Sequence, residues 1–224
     1  MSFSAVGQVF DPVSFRQHLK SQDLSWATGG VTVHHTASPD LSMRPHGWTI
    51  QHMRNLAHFY GNQLGWSSGP HLFTDEDQIF GLSPLGGRGV HAVSFNANHV
   101  GIEALGDYDS EDPRSGRGLE VMKTTARAVA QLLIAMGKTP ATQGAVKFHR
   151  DDPKTSKTCP GNRVDKDWFM GLVREAYDDE KGIEKAQGDR VDPPEPPSAQ
   201  PSPLRDMLKQ LRVLVDKVIA QLGG

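Results

Sequence analysis

The apolar positions in the first part of the chain predict short helices and strands in alternation. Residues 11–20 open with an aspartate and a proline, a common helix start, and predict a short helix. The β-branched stretch at 30–36 (GVTVHHT) predicts a strand. Apolar residues share one helical face across 46–60, whereas 71–74 and 78–82 flank an acidic turn and predict a hairpin. This part of the chain therefore switches repeatedly between helix and strand periodicity.

Two strands and two helices are predicted in the second part of the chain. Residues 99–105 (HVGIEAL) and a short stretch near 145–148 have the composition of strands. A long helix is predicted at 119–136, where apolar residues recur at helical spacing until Gly137 ends it, and a last helix near 167–177. Strands mixed with helices predict an α/β fold, with a mixed central β-sheet flanked by helices.

The composition changes sharply after residue 178. The segment 179–203 is rich in proline and has few residues to bury, so it predicts an extended linker. Residues 204–224 carry apolar side chains on one helical face and predict an amphipathic C-terminal helix. Such a helix suits self-association or contact with a membrane surface. We therefore expect a folded domain at 1–178, followed by the linker and this helix.

The overall composition excludes several classes of protein. Hydrophobic residues make up 37% and charged residues 22% of the chain, which is ordinary for a folded domain. A net charge of -2 argues against general nucleic-acid binding, which needs a basic surface. The sequence contains no apolar run long enough for a transmembrane span and no basic-then-apolar start typical of a secretory signal. The single cysteine excludes an internal disulfide.

Histidines and the cysteine form a candidate metal site. The predicted strand carries His34 and His35, and the polar segment FHRDDPKTSKTCPG carries His149 and Cys159. Zinc takes nitrogen and thiolate ligands, and a catalytic zinc keeps three protein ligands and one open position. Because neighbouring strand residues point to opposite faces, only one of His34 and His35 can face that site. The spacing of His149 and Cys159 alone fits separate polar residues without a metal equally well.

Taken in order, these segments resemble the peptidoglycan-recognition-like zinc amidase family, the type 2 N-acetylmuramoyl-L-alanine amidases, over about residues 30 to 170. In that family an apolar strand ends in a zinc-binding histidine. The site is completed by a histidine, a later lysine, and a cysteine or aspartate that precedes a proline. The matching residues here are His34, His149, Lys157, Cys159 and Pro160. The resemblance implies one zinc ion per chain, bound by the two histidines and the cysteine.

The resemblance also implies catalytic roles for Glu103 and Lys157. Glu103 lies in VGIEALG, which resembles a strand whose glutamate is catalytic in the branch that acts on anhydromuropeptides. The phage branch uses a tyrosine on the central hairpin instead, and the matching residue here is Pro70, which has no hydroxyl. Either Glu103 carries this role or the protein binds without cutting. The presence of Lys157 and of all three ligands favours catalysis.

Arg88 and His91, in the glycine-rich segment GGRGVHA, are candidate substrate-binding residues. The family often has a histidine–alanine pair at this point, near the substrate, which implies such a role for His91. Peptide stems carry carboxylates, and an arginine binds a carboxylate through charge-assisted hydrogen bonds. Solvated loop residues without a function are the alternative interpretation of both.

The family resemblance implies zinc-dependent hydrolysis of the amide bond between N-acetylmuramic acid and L-alanine, with peptidoglycan or a muropeptide as substrate. A phage or prophage endolysin is the first expectation, because the proline-rich linker and the added helix suit a lysin. The alternatives are a peptidoglycan-binding module without activity and a cytoplasmic muropeptide-recycling amidase. Without a secretory signal, we expect synthesis in the cytoplasm and action on the cell wall, in the periplasm, after holin-type release.

Overall fold

The computed structural model of the chain describes residues 3–188, in which six strands form one mixed sheet. The strands are β1 (Val9–Phe10), β2 (Gly30–His35), β3 (Leu72–Thr74), β4 (Ile79–Gly81), β5 (His99–Ala104) and β6 (Val146–Phe148). Their order across the sheet is β1-β4-β3-β5-β2-β6. Strands β3, β5, β2 and β6 run parallel, and β4 pairs antiparallel with both β1 and β3. The carboxyl ends of the parallel strands share one edge, where sheets of this kind bind their ligands.

Four α-helices accompany the sheet within the described residues. They are α1 (Pro12–Leu19), α2 (Ile50–His58), α3 (Gly116–Ala135) and α4 (Lys166–Gly188). A π-helical turn at Phe59–Gln63 continues α2, and a 3-10 turn at His149–Asp151 follows β6 directly. The start of α1 is fixed as the sequence predicts, because the Asp11 carboxylate accepts a 2.7 Å hydrogen bond from the Ser14 N–H.

Part of the hydrophobic core lies between α3 and the centre of the sheet. Helix α3 packs against both β2 and β5. Val31 and Val33 on β2, Ile102 on β5, and Val129 and Leu132 on α3 are all fully buried. Burying each such side chain stabilises the fold by about 1.5–3 kcal/mol. The two central strands are therefore held firmly, and with them the polar residues at their ends.

Helix α4 continues further along the chain than the sequence predicts. It ends at Gly188, and Glu180 in its second half is almost fully buried, with 1% of its side chain exposed. The Glu180 carboxylate accepts hydrogen bonds from Arg16 at 2.9 Å, from Arg127 at 2.7 Å and from Gln131 at 2.9 Å. These partners on α1 and α3 extend the helix through a stretch whose composition resembles a linker.

The predicted elements agree with the structure in type and order, with two differences. The helix expected near 167–177 is longer, so residues 179–188 are helical rather than linker. The sequence does not predict the two-residue strand β1, because so short a strand has no periodicity of its own. The proposed helix at 204–224 and the remainder of the linker lie outside the described residues, and the division into three segments stays a prediction. No helix within residues 3–188 is long and apolar enough to cross a membrane.

Candidate metal centre and active site

The first pair of site residues comes together through the register of the two central strands. His34 and Glu103 are direct partners in the parallel pairing of β2 with β5, so their side chains leave the sheet on the same face. The His34 Nδ1 atom lies 3.9 Å from the Glu103 Oε1 atom. Both residues occupy the carboxyl ends of their strands. The functional side chains are therefore placed at the edge where a parallel sheet binds ligands.

The other two predicted ligands, His149 and Cys159, also lie close to His34. Strand β6 pairs with β2 so that Phe148 lies opposite Val33, which brings the next residue, His149, beside His34. The two Nδ1 atoms of His34 and His149 are 3.1 Å apart, and the Cys159 Sγ atom lies 3.7 Å from the Nδ1 atom of His34. One donor atom from each of these three residues lies within 4.8 Å of the others.

These distances fit a tetrahedral zinc ion. With zinc–nitrogen bonds of about 2.0–2.1 Å and a zinc–sulfur bond of about 2.3 Å, two nitrogens lie about 3.3 Å apart and a nitrogen and the sulfur about 3.6 Å apart. The observed separations are close to these values: 3.1 Å between the Nδ1 atoms of His34 and His149, and 3.7 Å between the His34 Nδ1 atom and the Cys159 Sγ atom. Two imidazoles and one thiol are also the donor set that zinc prefers. The three residues can thus hold one zinc ion and leave a fourth position open.

Burial shifts the pKa of the three candidate ligands and of Glu103. It lowers the pKa of His34 far below its usual range, with His91 and then His149 adding to the effect. It raises the pKa of the Cys159 thiol, and the Glu103 carboxylate raises it further. The pKa of Glu103 itself rises to about 8 through burial, while Lys157 acts in the opposite direction. Imidazoles that stay neutral are the form that binds a metal, and a bound cation is what stabilises a buried thiolate.

Lys157 supplies the positive charge at the rim of the site. Its side chain is exposed and lines the cavity that contains the three ligands. Its charge lowers the pKa of Glu103 and contributes to the lowered pKa of His34 and His149. The predicted catalytic lysine, carboxylate and ligand set therefore share one site.

Residues 27–162, more than half of the chain, match the family described as N-acetylmuramoyl-L-alanine amidase, Amidase_2. The chain belongs to this amidase family. No curated protein sequence matches it.

Two solved structures are similar to this chain. The N-acetylmuramoyl-L-alanine amidase LysC from Clostridium intestinale URNW is 22% identical, with a TM-score of 0.50 over 67% of this chain and 88% of that chain. Drosophila PGRP-LB is 22% identical, with a TM-score of 0.48 over 61% of this chain and 76% of that chain. At such identity the likeness to LysC concerns the fold alone, and it confirms the predicted mixed sheet flanked by helices.

The candidate metal site lies in a cavity of about 640 Å³ that has one aromatic wall. The wall comes from α2 and the turn after it and includes Phe59, Tyr60 and Trp66. The Tyr60 ring stacks on Trp66 with centroids 5.3 Å apart. Burial raises the pKa of the Tyr60 hydroxyl, and Glu103 adds to the effect. Pro70 lines the same cavity, as the family resemblance implies for that position. The sequence does not predict this aromatic wall, because its residues lie outside the family motifs.

Arg150 holds the loop that carries Cys159. Its backbone N–H donates to the Cys159 carbonyl at 2.8 Å. Its guanidinium donates to the carbonyls of Thr158 at 3.2 Å, Gly161 at 2.8 Å and Val164 at 2.7 Å. Arg150, the residue after the candidate ligand His149, thus bonds to four carbonyl groups of the loop. No sequence signal reveals this role, because the acceptors are backbone atoms.

The two predicted substrate-binding residues occupy different environments in the structure. Arg88 is exposed and does not belong to the lining of the cavity. His91 lines the cavity, and its Nδ1 atom lies 3.1 Å from the Nε2 atom of His34. Substrate binding by Arg88 and by His91 stays a prediction.

Two further histidines are structural. The His35 Nδ1 atom accepts a 3.1 Å hydrogen bond from the Tyr108 N–H, so this side chain is turned away from the metal ligands, as the alternation of the strand predicts. His71 is fully buried, and its ring nitrogens bond to the Gly87 carbonyl and the Gly101 N–H, both at 2.9 Å. Of the adjacent pair on β2, only His34 faces the candidate metal centre.

Proposed function

We propose that this protein is a zinc-dependent N-acetylmuramoyl-L-alanine amidase, which hydrolyses the amide bond between N-acetylmuramic acid and L-alanine in bacterial peptidoglycan. One observation carries the proposal. The His34 Nδ1 atom lies 3.1 Å from the His149 Nδ1 atom and 3.7 Å from the Cys159 Sγ atom, two separations that match the edges of a tetrahedral zinc site, and it lies 3.9 Å from the carboxylate of Glu103. A module that only binds peptidoglycan needs neither the open metal site nor this carboxylate.

The residues divide the chemistry among themselves. When bound, zinc activates a water molecule and polarises the scissile carbonyl. Glu103 takes the proton of the attacking water and passes it to the leaving nitrogen, and its carboxylate lies 3.9 Å from the Nδ1 atom of the candidate ligand His34. Lys157 stabilises the negative charge that develops on the carbonyl oxygen. His34, His149 and Cys159 hold the metal in a fixed position throughout.

We further propose that the enzyme acts as an endolysin of phage or prophage origin. Cysteine as the third ligand, here Cys159, is typical of phage lysins, and the proline-rich stretch with its following apolar segment suits an enzyme with an added targeting element. Such an enzyme would reach the cell wall after holin-type release. Lysis of susceptible cells by externally added protein, with no lysis by the Glu103→Gln variant, is the expected result. Hydrolysis of soluble muropeptides without lysis would favour the recycling role instead.

The reaction is tested by digesting purified peptidoglycan and analysing the products by mass spectrometry. We expect muramic acid with a free lactyl carboxyl group, together with intact peptides that begin with L-alanine. New reducing sugar ends would identify a glycosidase and would refute the proposal. Intact peptidoglycan with protein bound to it would identify a binding module.

The metal is tested with the adjacent histidines of β2 as a matched pair. Purified protein should contain about one zinc per chain, chelation should abolish hydrolysis, and added zinc should restore it. The His34→Asn and Cys159→Ser variants should lose the metal. The control His35→Asn should keep it, because His35 bonds to the backbone of Tyr108. Full activity of metal-free protein is the result that excludes zinc catalysis.

A further inference from the structure

The side chain of His91 contacts the candidate metal ligand His34 on the Nε2 side of its ring. The His91 Nδ1 atom lies 3.1 Å from the His34 Nε2 atom, on the side of the His34 ring away from the other two ligands. The two rings meet edge to face, with centroids 5.2 Å apart. The second nitrogen of His91, Nε2, lies 3.1 Å from the backbone carbonyl oxygen of His99. Both nitrogens of His91 are therefore engaged within the protein.

The backbone carbonyl fixes the direction of every hydrogen bond in this chain of contacts. A carbonyl oxygen only accepts, so the Nε2 atom of His91 must carry a proton and donate it to His99. In a neutral imidazole the other nitrogen then has a free lone pair, and the Nδ1 atom of His91 accepts from the Nε2–H of His34. This leaves the lone pair of His34 on Nδ1, the atom that faces His149 and Cys159.

The ring of His91 sits in a slot that fits it closely. A Cβ atom at Gly101 would lie 2.5 Å from the Cγ atom of His91, so a residue with a side chain there would displace the ring. The Asn96 side-chain oxygen accepts hydrogen bonds from the backbone N–H groups of His91 and Ala92, both at 2.8 Å. The close contact with Gly101 and the two hydrogen bonds to Asn96 both hold the ring in place against His34.

We infer that His91 is a positioning residue that sets the tautomer and the orientation of His34 for metal binding. The inference rests on the proposed zinc site and adds to it a residue that does not touch the metal. It also gives His91 a role other than the contact with substrate that the family resemblance implies. Partners that fix a ligand histidine in this way commonly contribute tenfold to a hundredfold to metal affinity.

Zinc affinity of the full-length protein, measured by competition with a chromophoric chelator, tests the role without depending on activity. His91→Phe keeps the ring shape but removes both nitrogens, and zinc binding should weaken by about tenfold to a hundredfold. His91→Asn keeps an acceptor and a donor, and should recover most of the affinity. The control His52→Phe removes another half-buried histidine that lines the cavity and packs on Trp48, and its zinc affinity should match the wild type.

The outcomes separate this inference from the proposed function. A wild-type protein that binds no zinc would refute the zinc site itself. A wild type that binds zinc tightly, with a His91→Phe variant that is folded and binds it equally well, would refute only the positioning role. Long-range proton–nitrogen NMR of the zinc-loaded wild type should find the proton of His91 on Nε2. A proton on Nδ1 would overturn the assignment of the hydrogen bonds.

Discussion

Two glutamates show how differently this fold treats a buried carboxylate. Glu180 on α4 has 1% of its side chain exposed and accepts hydrogen bonds from Arg16, Arg127 and Gln131. Glu103 on β5 has 14% exposed, and in residues 3–188 its carboxylate accepts no hydrogen bond. Its nearest charged neighbours are ligands and a lysine of the candidate site. The first carboxylate is satisfied and joins helices, whereas the second keeps its capacity to exchange a proton.

The contrast follows from what surrounds each group. Buried polar groups in folded proteins are nearly always paired, so an unpaired one points to a function. Burial raises the pKa of Glu103 to about 8, and Lys157 acts in the opposite direction. The same substitution, glutamate to glutamine, should therefore damage stability at one position and turnover at the other.

Glu180→Gln should have the largest effect, and the effect should be on stability. The substitution removes the negative charge that faces Arg16 and Arg127, and Arg16 has only 11% of its side chain exposed. Breaking a buried ion pair costs about 3–5 kcal/mol. Urea denaturation should report a loss of that order in the free energy of unfolding. Turnover of the folded variant at low temperature should match the wild type. An unchanged unfolding midpoint would mean that Glu180 contributes no net stability.

Glu103→Gln should show the opposite pattern. The carboxylate has no hydrogen bond to lose within the described residues, so the free energy of unfolding and the zinc content should change little. Loss of the proton acceptor should lower kcat by about a hundredfold or more, with little change in KM. Steady-state kinetics on a soluble muropeptide measures both. A variant that retains zinc and cleaves at the wild-type rate would remove Glu103 from the mechanism.

A buried histidine, His71, should make the stability of the protein depend on pH. Burial lowers the pKa of His71 from 6.5 to about 4, so the folded protein excludes a proton that the unfolded chain binds. Its contribution to stability is complete above pH 6.5 and is lost as the pH falls toward the folded pKa. Between pH 7 and pH 5 the loss is about 2 kcal/mol.

Urea unfolding at both pH values measures this loss in the wild type and in His71→Asn. The asparagine variant should be less stable at pH 7 but should show a smaller decrease on acidification. The exposed histidine His46, replaced by asparagine, serves as control and should keep the wild-type decrease. Equal decreases in the wild type and in His71→Asn would contradict a buried neutral His71.

Lys157→Met should have the smallest effect of this series. The ammonium group is exposed, and solvent screens its interaction with Glu103 and with the reacting carbonyl. We expect kcat to fall by about tenfold, less than for a buried oxyanion donor. Lys154→Met, an exposed lysine of the same loop that does not line the cavity, is the matched control and should leave kcat unchanged. Equal kinetics of the two variants would assign Lys157 to the solvated surface.

Much of this protein was determined by local sequence. The aspartate–proline start of α1, the apolar spacing of α3 and the β-branched residues of β2 each act within a few residues, so their elements could be predicted. The alternation of β2 predicted that only one of its two histidines faces the site. The family motifs predicted the donor set of His34, His149 and Cys159, together with Glu103 as the carboxylate. Segment 204–224 stays a prediction.

Only the tertiary structure decided how these residues meet. The register of β2 with β5 sets Glu103 opposite His34, and the register of β2 with β6 brings His149 beside it. The contact of His91 with His34 joins residues 57 positions apart, and helix α4 continues because Glu180 finds arginines on two other helices. Long-range hydrogen bonds and strand registers depend on residues that are distant in sequence, so no local pattern encodes them. Local periodicity specified the elements, and packing between them built the site.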